Sequence, residues 1–440
     1  MDIRAVLFDL DGTLVGAEKP FSDIKSELRE RLISLGIPEE LIGDLTPMYE
    51  GLIELSKKTG RPFEELYSIL VELEAERMDE SFVFEGAREL LDFLRNRGIK
   101  LALMTRSSRK ATMKALELHG LKDYFDIIST RDDVSPEELK PNPGQLRRIL
   151  DELSVPPEKA VVVGDHGYDI IPARELGALS VLVTGHDAGR MSFQVEAEPN
   201  FEVENLLHLK ELFERLFSSY VVVPAYNEEK TIGAVIEDLL RYFRRDEIIV
   251  VNDGSRDRTE EIARSYGVHV LNHLVNRGLG GALGTGFAYA VRRNAKLVLT
   301  FDADGQHLLS DALRVMKPVA EGRADFAVGS RLKGDTSEMP FVKKFGNFVL
   351  DAITAVFARK YVSDSQSGLR CLSGDCVRKI RITCDRYAVS SEIIIEAAKA
   401  GCRIVEVPIK AVYTEYSMKK GTNVLEGVKI ALNLLFDRLR

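Results

Sequence analysis

Two short acidic motifs are the parts of this chain whose residue types and spacing could do chemistry. Residues 8–14 read FDLDGTL and residues 301–307 read FDADGQH, so an Asp-x-Asp-Gly sequence follows an apolar run in both places. A pair of carboxylates at the end of a buried strand suggests a divalent cation. The pair alone is a weak signal, because loop aspartates also cap helices. The residues that surround each motif therefore decide its interpretation.

Polar residues follow three later apolar runs in the N-terminal half of the chain. Thr105 ends the run LALMT, Lys140 opens KPNP, and Asp165 and Asp169 follow the run VVVG. The carboxyl ends of parallel strands meet at one edge of a sheet, so we expect these side chains to lie beside the first acidic pair. The lysine and the hydroxyl would then suit a phosphate group.

Four carboxylates at one edge of a sheet need a counter-charge; they are Asp9, Asp11, Asp165 and Asp169. Two unit charges about 4 Å apart repel by about 4 kcal/mol at an effective dielectric constant near 20. A hard cation removes that cost, and a ligand set made only of oxygen favours Mg²⁺ over Zn²⁺. His166 is predicted to be a loop residue rather than a ligand.

Residues 1 to about 200 resemble the haloacid dehalogenase-like phosphohydrolases, because these four separated motifs occur in the order of that family. The resemblance implies a phosphomonoester substrate and makes Asp9 the nucleophile that forms an aspartyl-phosphate. Asp11 would protonate the leaving oxygen and then activate water. The other members of the set would hold the phosphoryl oxygens (Thr105 and Lys140) or bind Mg²⁺ beside the nucleophile (Asp165 and Asp169).

The second acidic pair, Asp302 and Asp304, has different neighbours. Upstream lie the strand-like segments VVVPAYNEE and IIVVNDGS and the glycine-rich run NRGLGGALGTG, which does not fit the dinucleotide fingerprint GxGxxG. We expect its glycines to let a helix pack close to the nucleotide. No threonine, lysine or further acidic pair completes a phosphohydrolase site. We therefore expect a metal ion here that neutralises the diphosphate of a nucleotide-sugar.

Residues 219 to about 420 resemble glycosyltransferase family two, and FDADGQH, VGSR, DSQSGLR and GCRIVEVPI are most similar to polyprenyl-phosphate (dolichol-phosphate) mannose and glucose synthases. The resemblance implies a GT-A fold, a GDP- or UDP-sugar donor and a polyprenyl phosphate acceptor. It implies that Asp302 and Asp304 hold Mg²⁺ or Mn²⁺. The residues implied to contact the nucleotide or phosphate groups are Pro224, Tyr226, Glu228, Asp253, Arg331 and Arg370.

The acceptor is the least defined part of this resemblance. A lipid phosphate is already an anion and would attack the anomeric carbon directly, with inversion. An alcohol would need a base, for which Glu392 is the candidate; the same residue also reads as an acid placed at a helix N-terminus. The segment YTEYSMKKG departs from the family pattern, although Ser417, Lys419 and Lys420 could bind a phosphate.

Composition limits the remaining classes of function. A hydrophobic content of 45% and a charged content of 29% describe a globular protein, and the net charge of −9 argues against nucleic-acid binding. The sequence shows neither a signal-peptide pattern at its N-terminus nor an apolar run that could span a membrane. Its four cysteines lack CxxC spacing and read as buried thiols in a reducing compartment. We expect a cytoplasmic location.

The length predicts two domains, which we place at residues 1–217 and 218–440. Strand-like runs alternate with helical periodicity in both, predicting two doubly wound α/β domains. Residues 16–80 read as a helical cap over the first sheet. The predicted strands are Ala5–Phe8, Lys100–Met104, Ala160–Val163, Ser180–Val183, Tyr220–Val223, Glu247–Val251, Val268–Leu271, Lys296–Phe301 and Asp325–Val328.

Residues 341–360 have an amphipathic helical pattern with basic residues at both ends. Such a helix can lie peripherally at an anionic membrane face, or it can bury its apolar side against the sheet. The sequence leaves both alternatives open for this helix and for the helix predicted at residues 424–439.

Three functions follow from these motifs. The first is a bifunctional enzyme that joins the phosphatase to transfer onto a polyprenyl phosphate. The second transfers the sugar to a soluble phosphorylated acceptor, which the phosphatase then dephosphorylates. In the third, the N-terminal half is a non-catalytic regulatory module.

Overall fold

The computed structural model describes residues 1–185, 198–334, 341–383 and 389–410, with the backbone alone described at residue 21 and over residues 341–349. Its internal contacts divide the chain into two compact units. One comprises Ile3–Lys210, and the other begins at Glu211 and includes Met1–Asp2. The division falls inside a helix, a few residues before the boundary predicted near residue 217, so that boundary stays a proposal.

The first unit is built on a six-stranded sheet in which all neighbouring strands are parallel. Its strands, with a separate antiparallel pair β2–β3, are β1 (Ala5–Phe8), β2 (Val15–Ala17), β3 (Ser81–Val83), β4 (Lys100–Met104), β5 (Ile127–Ser129), β6 (Ala160–Gly164), β7 (Leu179–Val183) and β8 (Phe201–Val203). The sheet order is β5-β4-β1-β6-β7-β8. The four strands predicted in this half correspond to β1, β4, β6 and β7.

The helices of this unit cover the sheet and form the cap. They are α1 (Phe21–Ser34), α2 (Glu39–Ile42), α3 (Met48–Thr59), α4 (Phe63–Arg77), α5 (Ala87–Arg95), α6 (Arg109–Leu118), α7 (Gly144–Leu153), α8 (Gly167–Leu176) and α9 (Leu206–Leu216), the last of which extends into the second unit. Helices α1–α4 lie between β2 and β3 and enclose an apolar core of their own, which includes Ile24, Leu28, Leu52, Leu66 and Leu70. The predicted helical insert is therefore present. The short strands β2 and β3 on either side of it were not predicted.

The central strands of the first sheet are buried on both faces. All four residues of β1 and all five residues of β6 are buried, as expected for apolar runs in a parallel sheet that helices cover on both sides. The register pairs Phe8 with both Leu103 and Val163, so β1, β4 and β6 end side by side. The residues that follow these strands are thus delivered to one edge.

The second unit is built on a seven-stranded sheet of mixed direction. Its strands are β9 (Ser219–Ala225), β10 (Ile248–Asn252), β11 (His269–Asn272), β12 (Leu297–Thr300), β13 (Phe326–Ser330), β14 (Arg370–Ser373) and β15 (Ile404–Pro408). The order is β11-β10-β9-β12-β14-β13-β15. The five strands predicted here correspond to β9–β13, and the prediction of two α/β domains is confirmed.

Strand β14 departs from the doubly wound pattern. It is antiparallel to both of its neighbours, β12 and β13. Arg370, its first residue, pairs with Thr300 at the end of β12 and with Val328 in β13. The loop that precedes β14 therefore meets the loops that follow β12 and β13 at the same edge of the sheet.

The helices of the second unit are α10 (Ile232–Leu240), α11 (Thr259–Ser265), α12 (Gly278–Arg292), α13 (Leu309–Ala320), α14 (Phe341–Ala358), α15 (Gly374–Lys379) and α16 (Val389–Lys399). Helix α14 coincides with the amphipathic segment noted in the sequence. Among its described side chains Asp351 is buried, whereas Val356 is 74% exposed. In the part of the chain that the structure describes, no helix combines the length and the apolar character needed to cross a membrane. The helix predicted at residues 424–439 lies outside the described residues.

Candidate active sites

The first candidate site lies at the carboxyl edge of the parallel sheet. Asp9 follows β1, while Asp165 and Asp169 follow β6, the neighbour of β1. One carboxylate oxygen from each lies within 4.8 Å of the others. Among the described residues, this is the only group of three or more acidic, histidine or cysteine side chains that could hold a metal ion. Three oxygen donors at this spacing fit a hard divalent cation such as Mg²⁺.

Lys140 supplies the positive charge inside this cluster. Its Nζ lies 2.8 Å from Asp9 Oδ1 and 2.5 Å from Asp169 Oδ1, and the side chain is buried. Burial alone would lower the pKa of Lys140, but Asp169 and Asp9 outweigh that effect and raise its pKa above the ordinary value. The ammonium group therefore stays charged beside Asp9, where an incoming phosphoryl group needs a cation.

Asp11 faces a different partner from the other three carboxylates. It forms an ion pair with Nη1 of Arg77, the last residue of cap helix α4, and both side chains are buried. Nε of the same guanidinium donates to the backbone carbonyl of Lys19 over 2.7 Å. Three of the four predicted carboxylates thus form the group that could hold one ion. Both predicted roles of Asp11, as the acid–base group and as a metal ligand, stay proposals.

The two remaining polar residues of this edge lie where the sequence places them. Thr105 directly follows β4 and is buried, and its hydroxyl accepts a hydrogen bond from the Ser107 N–H over 3.2 Å. His166 caps helix α8, because its Nδ1 accepts the Tyr168 N–H over 3.1 Å. The histidine is not part of the three-ligand group. Its contacts are those of a loop residue.

The second candidate site lies where β12 ends. His307 Nε2 lies 2.9 Å from Asp302 Oδ2, and Gln306 donates to Asp304 from its backbone N–H at 3.1 Å and from its side-chain amide at 2.6 Å. Burial, followed by the charge of Asp302, raises the pKa of Asp304. Burial alone would also raise the pKa of Asp302, but His307 and Arg370 hold it below the ordinary value. The two aspartates are close enough to repel each other, which is the situation that a divalent ion relieves.

The loop before β14 packs directly against Asp302. A Cβ atom on Gly368 would lie 2.0 Å from Asp302 Oδ2, so only glycine permits this approach. The Thr300 hydroxyl donates to the Gly368 carbonyl over 2.6 Å and fixes the loop to the end of β12. The segment DSQSGLR is therefore part of the wall of the acidic site.

Arg370 lies deeper in the protein than the predicted phosphate contact requires. It is 1% exposed, and its Nη2 donates to the Ser365 carbonyl over 2.9 Å. Burial lowers the pKa of Arg370 to about 10, although the charges of Asp302 and Asp364 oppose that change. The guanidinium therefore stays charged at neutral pH. It is placed to act as an internal counter-charge to Asp302 rather than as a surface contact to substrate.

Arg331 is held in one orientation at the same edge. Its Nε and Nη2 each lie 2.7 Å from a different oxygen of Asp364, and its backbone N–H donates to that carboxylate over 2.9 Å. Asp364 is fully buried, whereas the arginine side chain remains 17% exposed. A guanidinium that is fixed in this way and remains partly exposed is oriented to approach a phosphate.

Three predicted nucleotide contacts cluster where β9 ends. Pro224 belongs to β9, Tyr226 follows it with 42% of its surface exposed, and Glu228 is buried with its N–H bonded to Thr259 Oγ1 over 2.8 Å. The charge of Glu228 contributes to the raised pKa of Asp304, so the two carboxylates lie within electrostatic reach. The structure thus brings these residues to the edge that carries the acidic pair.

Asp253 has a set of partners that the sequence does not reveal. Its carboxylate accepts the backbone N–H groups of Arg277 and Gly278 at 2.9 and 2.7 Å and contacts His273 Nδ1 at 2.6 Å. It therefore anchors the start of the glycine-rich helix α12. That helix packs closely on β9, because a Cβ atom on Gly286 would lie 2.3 Å from a methyl group of Val222. The close approach seen at Gly286 is thus to the sheet, and the predicted approach of this helix to the nucleotide stays a prediction.

Of the residues predicted to serve the acceptor, the structure describes only Glu392. Glu392 lies in the first turn of α16, is buried, and accepts the Thr383 N–H over 3.1 Å. These contacts match the helix N-terminal alternative more closely than that of an exposed base. Ser417, Lys419 and Lys420 lie outside the described residues.

Several residues at the two sites were not found from the sequence. Arg77, Glu50 and Arg106 meet at the first site only because the cap folds back over the sheet, and none belongs to a recognisable motif. Gly368 and His307 lie inside motifs quoted in the sequence analysis, so the sequence indicated that they belong to the site. It did not indicate how closely they contact Asp302.

The two sites belong to two classes of enzyme domain, a haloacid dehalogenase-like phosphohydrolase and a glycosyltransferase. Residues 3–177 match the model of the haloacid dehalogenase-like hydrolases, and residues 220–366 match that of glycosyl transferase family 2. The chain belongs to glycosyl transferase family 2 and carries a haloacid dehalogenase-like hydrolase domain on its N-terminal side. The resemblances noted in the sequence are confirmed.

Three relatives each match about half of the chain. A protein of Methanocaldococcus jannaschii, MJ1222, is 50% identical over 224 residues, which are 50% of this chain and 92% of that protein. A UDP-N-acetylglucosamine–dolichyl-phosphate N-acetylglucosaminyltransferase of Methanococcus voltae is 40% identical over 241 residues, or 50% of this chain and 96% of the relative. The pyrophosphatase PpaX of Halalkalibacterium halodurans is 27% identical over 228 residues, or 48% and 97%.

Proposed function

We propose that the chain is a bifunctional enzyme. Its N-terminal domain would hydrolyse a phosphomonoester with Mg²⁺, and its C-terminal domain would move a sugar from a nucleotide-sugar to a polyprenyl phosphate with inversion. The observation that supports this most strongly is that each sheet carries an acidic group with a cation nearby. Lys140 pairs with Asp9 and Asp169 in one domain, and in the other Asp302 lies within electrostatic reach of Arg370 and Arg331. Each domain thus has the charges that its own reaction would require.

The hydrolase chemistry follows from the contacts around Asp9. A carboxylate oxygen of Asp9 attacks phosphorus, the bond to the leaving oxygen breaks, and Asp11 gives that oxygen a proton. Lys140 stabilises the negative charge of the phosphoryl oxygens. Water then attacks the aspartyl-phosphate, with Asp11 taking its proton, and inorganic phosphate leaves. A Mg²⁺ ion held by Asp9, Asp165 and Asp169 would neutralise phosphoryl charge when bound.

The transfer chemistry follows from the edge near Asp302. A phosphate oxygen of the lipid attacks the anomeric carbon of the sugar, the bond to the nucleoside diphosphate breaks, and the configuration inverts. Arg331 is oriented to hold a phosphate group. A Mg²⁺ or Mn²⁺ ion at Asp302 and Asp304 would neutralise the departing diphosphate. The lipid phosphate is already ionised, so Glu392 is not required as a base.

One relative supports a particular class of donor and of acceptor. The 40% identical relative is named for UDP-N-acetylglucosamine and dolichyl phosphate, and this supports a UDP-sugar over a GDP-sugar and a lipid over a soluble acceptor. A lipid acceptor would be met at the cytoplasmic face of a membrane by peripheral contact. The exposed Val356 on the basic, amphipathic helix α14 is consistent with such a contact.

The transfer reaction is tested by supplying both kinds of acceptor. Purified chain is incubated with UDP-N-acetylglucosamine or GDP-mannose, Mn²⁺ or Mg²⁺, and either a short-chain polyprenyl phosphate or a soluble sugar phosphate. We expect a sugar-phosphate lipid from the UDP donor, detected by mass spectrometry. Its formation should stop in Asp302→Asn and continue in Asp9→Asn. A dephosphorylated soluble glycoside would instead support the soluble-acceptor alternative.

The hydrolase reaction is tested with p-nitrophenyl phosphate and Mg²⁺. We expect phosphate release that EDTA and Asp9→Asn abolish and that Asp302→Asn leaves unchanged. A loss of glycosyl transfer in Asp9→Asn, without phosphate release by the unaltered chain, would support the regulatory-module alternative instead.

A further inference from the structure

A second cation, Arg106, lies beside the phosphohydrolase site. It directly follows Thr105, and its Nη1 donates to the backbone carbonyl of Lys140. Its Nη2 pairs with Glu50, on cap helix α3, and its guanidinium carbon lies 5.4 Å from the centre of the Tyr168 ring. The guanidinium is therefore held between the cap and the lysine that would bind the phosphoryl group.

The charge of Arg106 is balanced differently from that of Lys140. Lys140 is buried between two catalytic carboxylates, Asp9 and Asp169. Arg106 has Glu50 as its carboxylate partner, and both side chains keep contact with solvent, at 21% and 38% exposure. An ion pair that solvent reaches contributes little to stability and exchanges readily. The cap carboxylate can therefore give way to another anion.

The partner carboxylate is also incompletely bonded. One oxygen of Glu50 meets Arg106, whereas the other, Oε2, is buried without a hydrogen-bond partner among the described residues. By contrast, the neighbouring ion pair of Arg131 and Glu74 is bidentate, at 3.0 and 2.9 Å, and is buried. Of these two ion pairs between cap and core, the pair of Arg106 and Glu50 is the one whose carboxylate another anion could more easily replace.

We propose that Arg106 recognises a second anionic group on the substrate of the hydrolase and that this group replaces the carboxylate of Glu50. The proposal rests on the hydrolase function proposed above. It defines the substrate class as a phosphate ester or anhydride whose leaving group carries a further phosphate or carboxylate. The planar guanidinium fork suits either group, because both accept two parallel N–H bonds. Because Arg106 contacts the backbone of Lys140, the second anion would bind no farther from the phosphoryl site than about the length of a lysine side chain.

The test compares substrates with and without the second anion on the full chain. Release of phosphate from pyrophosphate and from 2-phosphoglycolate is measured against release from p-nitrophenyl phosphate, with Mg²⁺. In Arg106→Gln we expect kcat/KM to fall about 10- to 100-fold for pyrophosphate, 2-phosphoglycolate or both, and less than about threefold for p-nitrophenyl phosphate. If kcat/KM falls for only one of these two substrates, the result tells whether the second group is a phosphate (pyrophosphate) or a carboxylate (2-phosphoglycolate). An equal loss on all three substrates would overturn the proposal.

Two variants serve as controls. Arg109→Gln removes a nearby exposed arginine that pairs with Asp133, and it should change no substrate by more than about twofold. Glu50→Gln removes the competing carboxylate, so it should lower KM several-fold for the substrates that Arg106→Gln impairs while leaving p-nitrophenyl phosphate unchanged. A rise in KM for pyrophosphate in Glu50→Gln would contradict the exchange.

A binding measurement keeps the proposal testable without turnover. Isothermal titration with Mg²⁺ compares methylenediphosphonate with orthophosphate on the unaltered chain and on Arg106→Gln. We expect the variant to bind the diphosphonate at least tenfold more weakly and orthophosphate almost as before. The titration is repeated with phosphonoacetate, which carries a carboxylate as its second group. Unchanged affinity for both methylenediphosphonate and phosphonoacetate would overturn the role of Arg106. Absence of hydrolysis from all substrates by the unaltered chain would instead refute the hydrolase function, and the titration would still decide the role of Arg106.

Discussion

The two acidic sites of this chain share an Asp-x-Asp-Gly sequence and differ in how their charges are balanced. At the first site, the buried Lys140 pairs with Asp9 and Asp169, two of the three carboxylates that could hold an ion, and the cap adds Arg77 against Asp11. At the second, His307 and the deeply placed Arg370 hold down the pKa of Asp302, whereas the pKa of Asp304 is raised. The first site carries its own cations, whereas the second leaves the charge of Asp304 less fully balanced.

This difference matches what each site is proposed to bind. A phosphohydrolase must hold a small phosphoryl group, so the protein itself has to provide most of the opposing charge. A nucleotide-sugar brings a diphosphate that can share a metal ion with the protein, so fewer protein charges are needed. Similar local sequences can thus bind two different ligands, and the surrounding residues determine which ligand is bound.

The strongest test of the self-balanced first site is removal of its cation. Lys140→Ala should lower phosphate release by about 10³-fold, in the range seen when a charge-stabilising donor is removed from an active site. Mg²⁺ binding, measured by titration calorimetry, should be unchanged or tighter, because a positive charge has left the ligand group. Lys122→Ala, at an exposed pair with Glu117, is the control. A tenfold weaker Mg²⁺ affinity would mean that the lysine assembles the ligands instead.

The buried ion pair between cap and core tests whether charge balance also stabilises the first domain. Arg131→Met leaves Glu74 buried without its partner and should lower the free energy of unfolding of this domain by about 3 kcal/mol. Replacing both residues by methionine should cost less. Urea unfolding followed by hydrogen exchange measures the effect for each domain. Arg109→Met, at an exposed pair, should cost less than about 1 kcal/mol.

The close contact at Gly368 tests how rigidly the second site holds its aspartate. Gly368→Ala should displace Asp302, because the new methyl group would occupy the position of its carboxylate. We expect glycosyl transfer to fall about 10- to 100-fold, since small misplacements of reacting groups cost that much. Phosphate release should not change. Gly284→Ala, where a Cβ atom meets nothing within 4 Å, should leave both activities intact and shows that alanine is tolerated at an open position.

A buried carboxyl of the second domain gives the smallest expected effect. Burial raises the pKa of Asp351 to about 7, and its Oδ2 has no hydrogen-bond partner among the described residues. Because this pKa is raised on folding, ionisation of Asp351 costs stability as pH rises from about 4 to 7. Asp351→Asn should therefore stabilise the domain by about 1 kcal/mol at pH 8, since its buried amide offsets part of the gain. It should have little effect at pH 4.5.

Thermal unfolding at the two pH values measures that difference. The same stabilisation at both pH values would show that folding does not raise the pKa of Asp351. The result also sharpens the comparison with the first domain, where Arg131 pairs with both oxygens of the buried Glu74.

Strands and motif positions were accessible from the sequence because both follow from local pattern. All nine predicted strands correspond to observed ones, since continuous apolar runs bounded by polar turns are specific to buried parallel strands. The unpredicted β5, β8, β14 and β15 are short or lie away from the centre of their sheets, so their patterns are weaker. The direction of β14 depends on tertiary pairing, which no local pattern encodes.

The site was predictable where a motif sits at the end of a strand. Asp9, Lys140 and Asp169 come together as the sequence implied, because the register of parallel strands carries them to one edge. Arg77 and Glu50 were not predictable, because the path of the cap back to the sheet decides their contacts. Arg370 was expected to contact a phosphate group, and the depth at which its side chain is buried could not be read from the sequence.

The reversed strand β14 has a further consequence for how such a transferase can diversify. The chain leaves the reactive edge after Ser330 and returns to it at Arg370, so the intervening excursion, which includes α14, begins and ends at the same place. Insertions or replacements within that excursion need not shift any strand of the sheet. A lineage could remodel α14 within this segment, while Arg331, Asp364 and Gly368, at the two ends of the segment, keep the acidic site as it is.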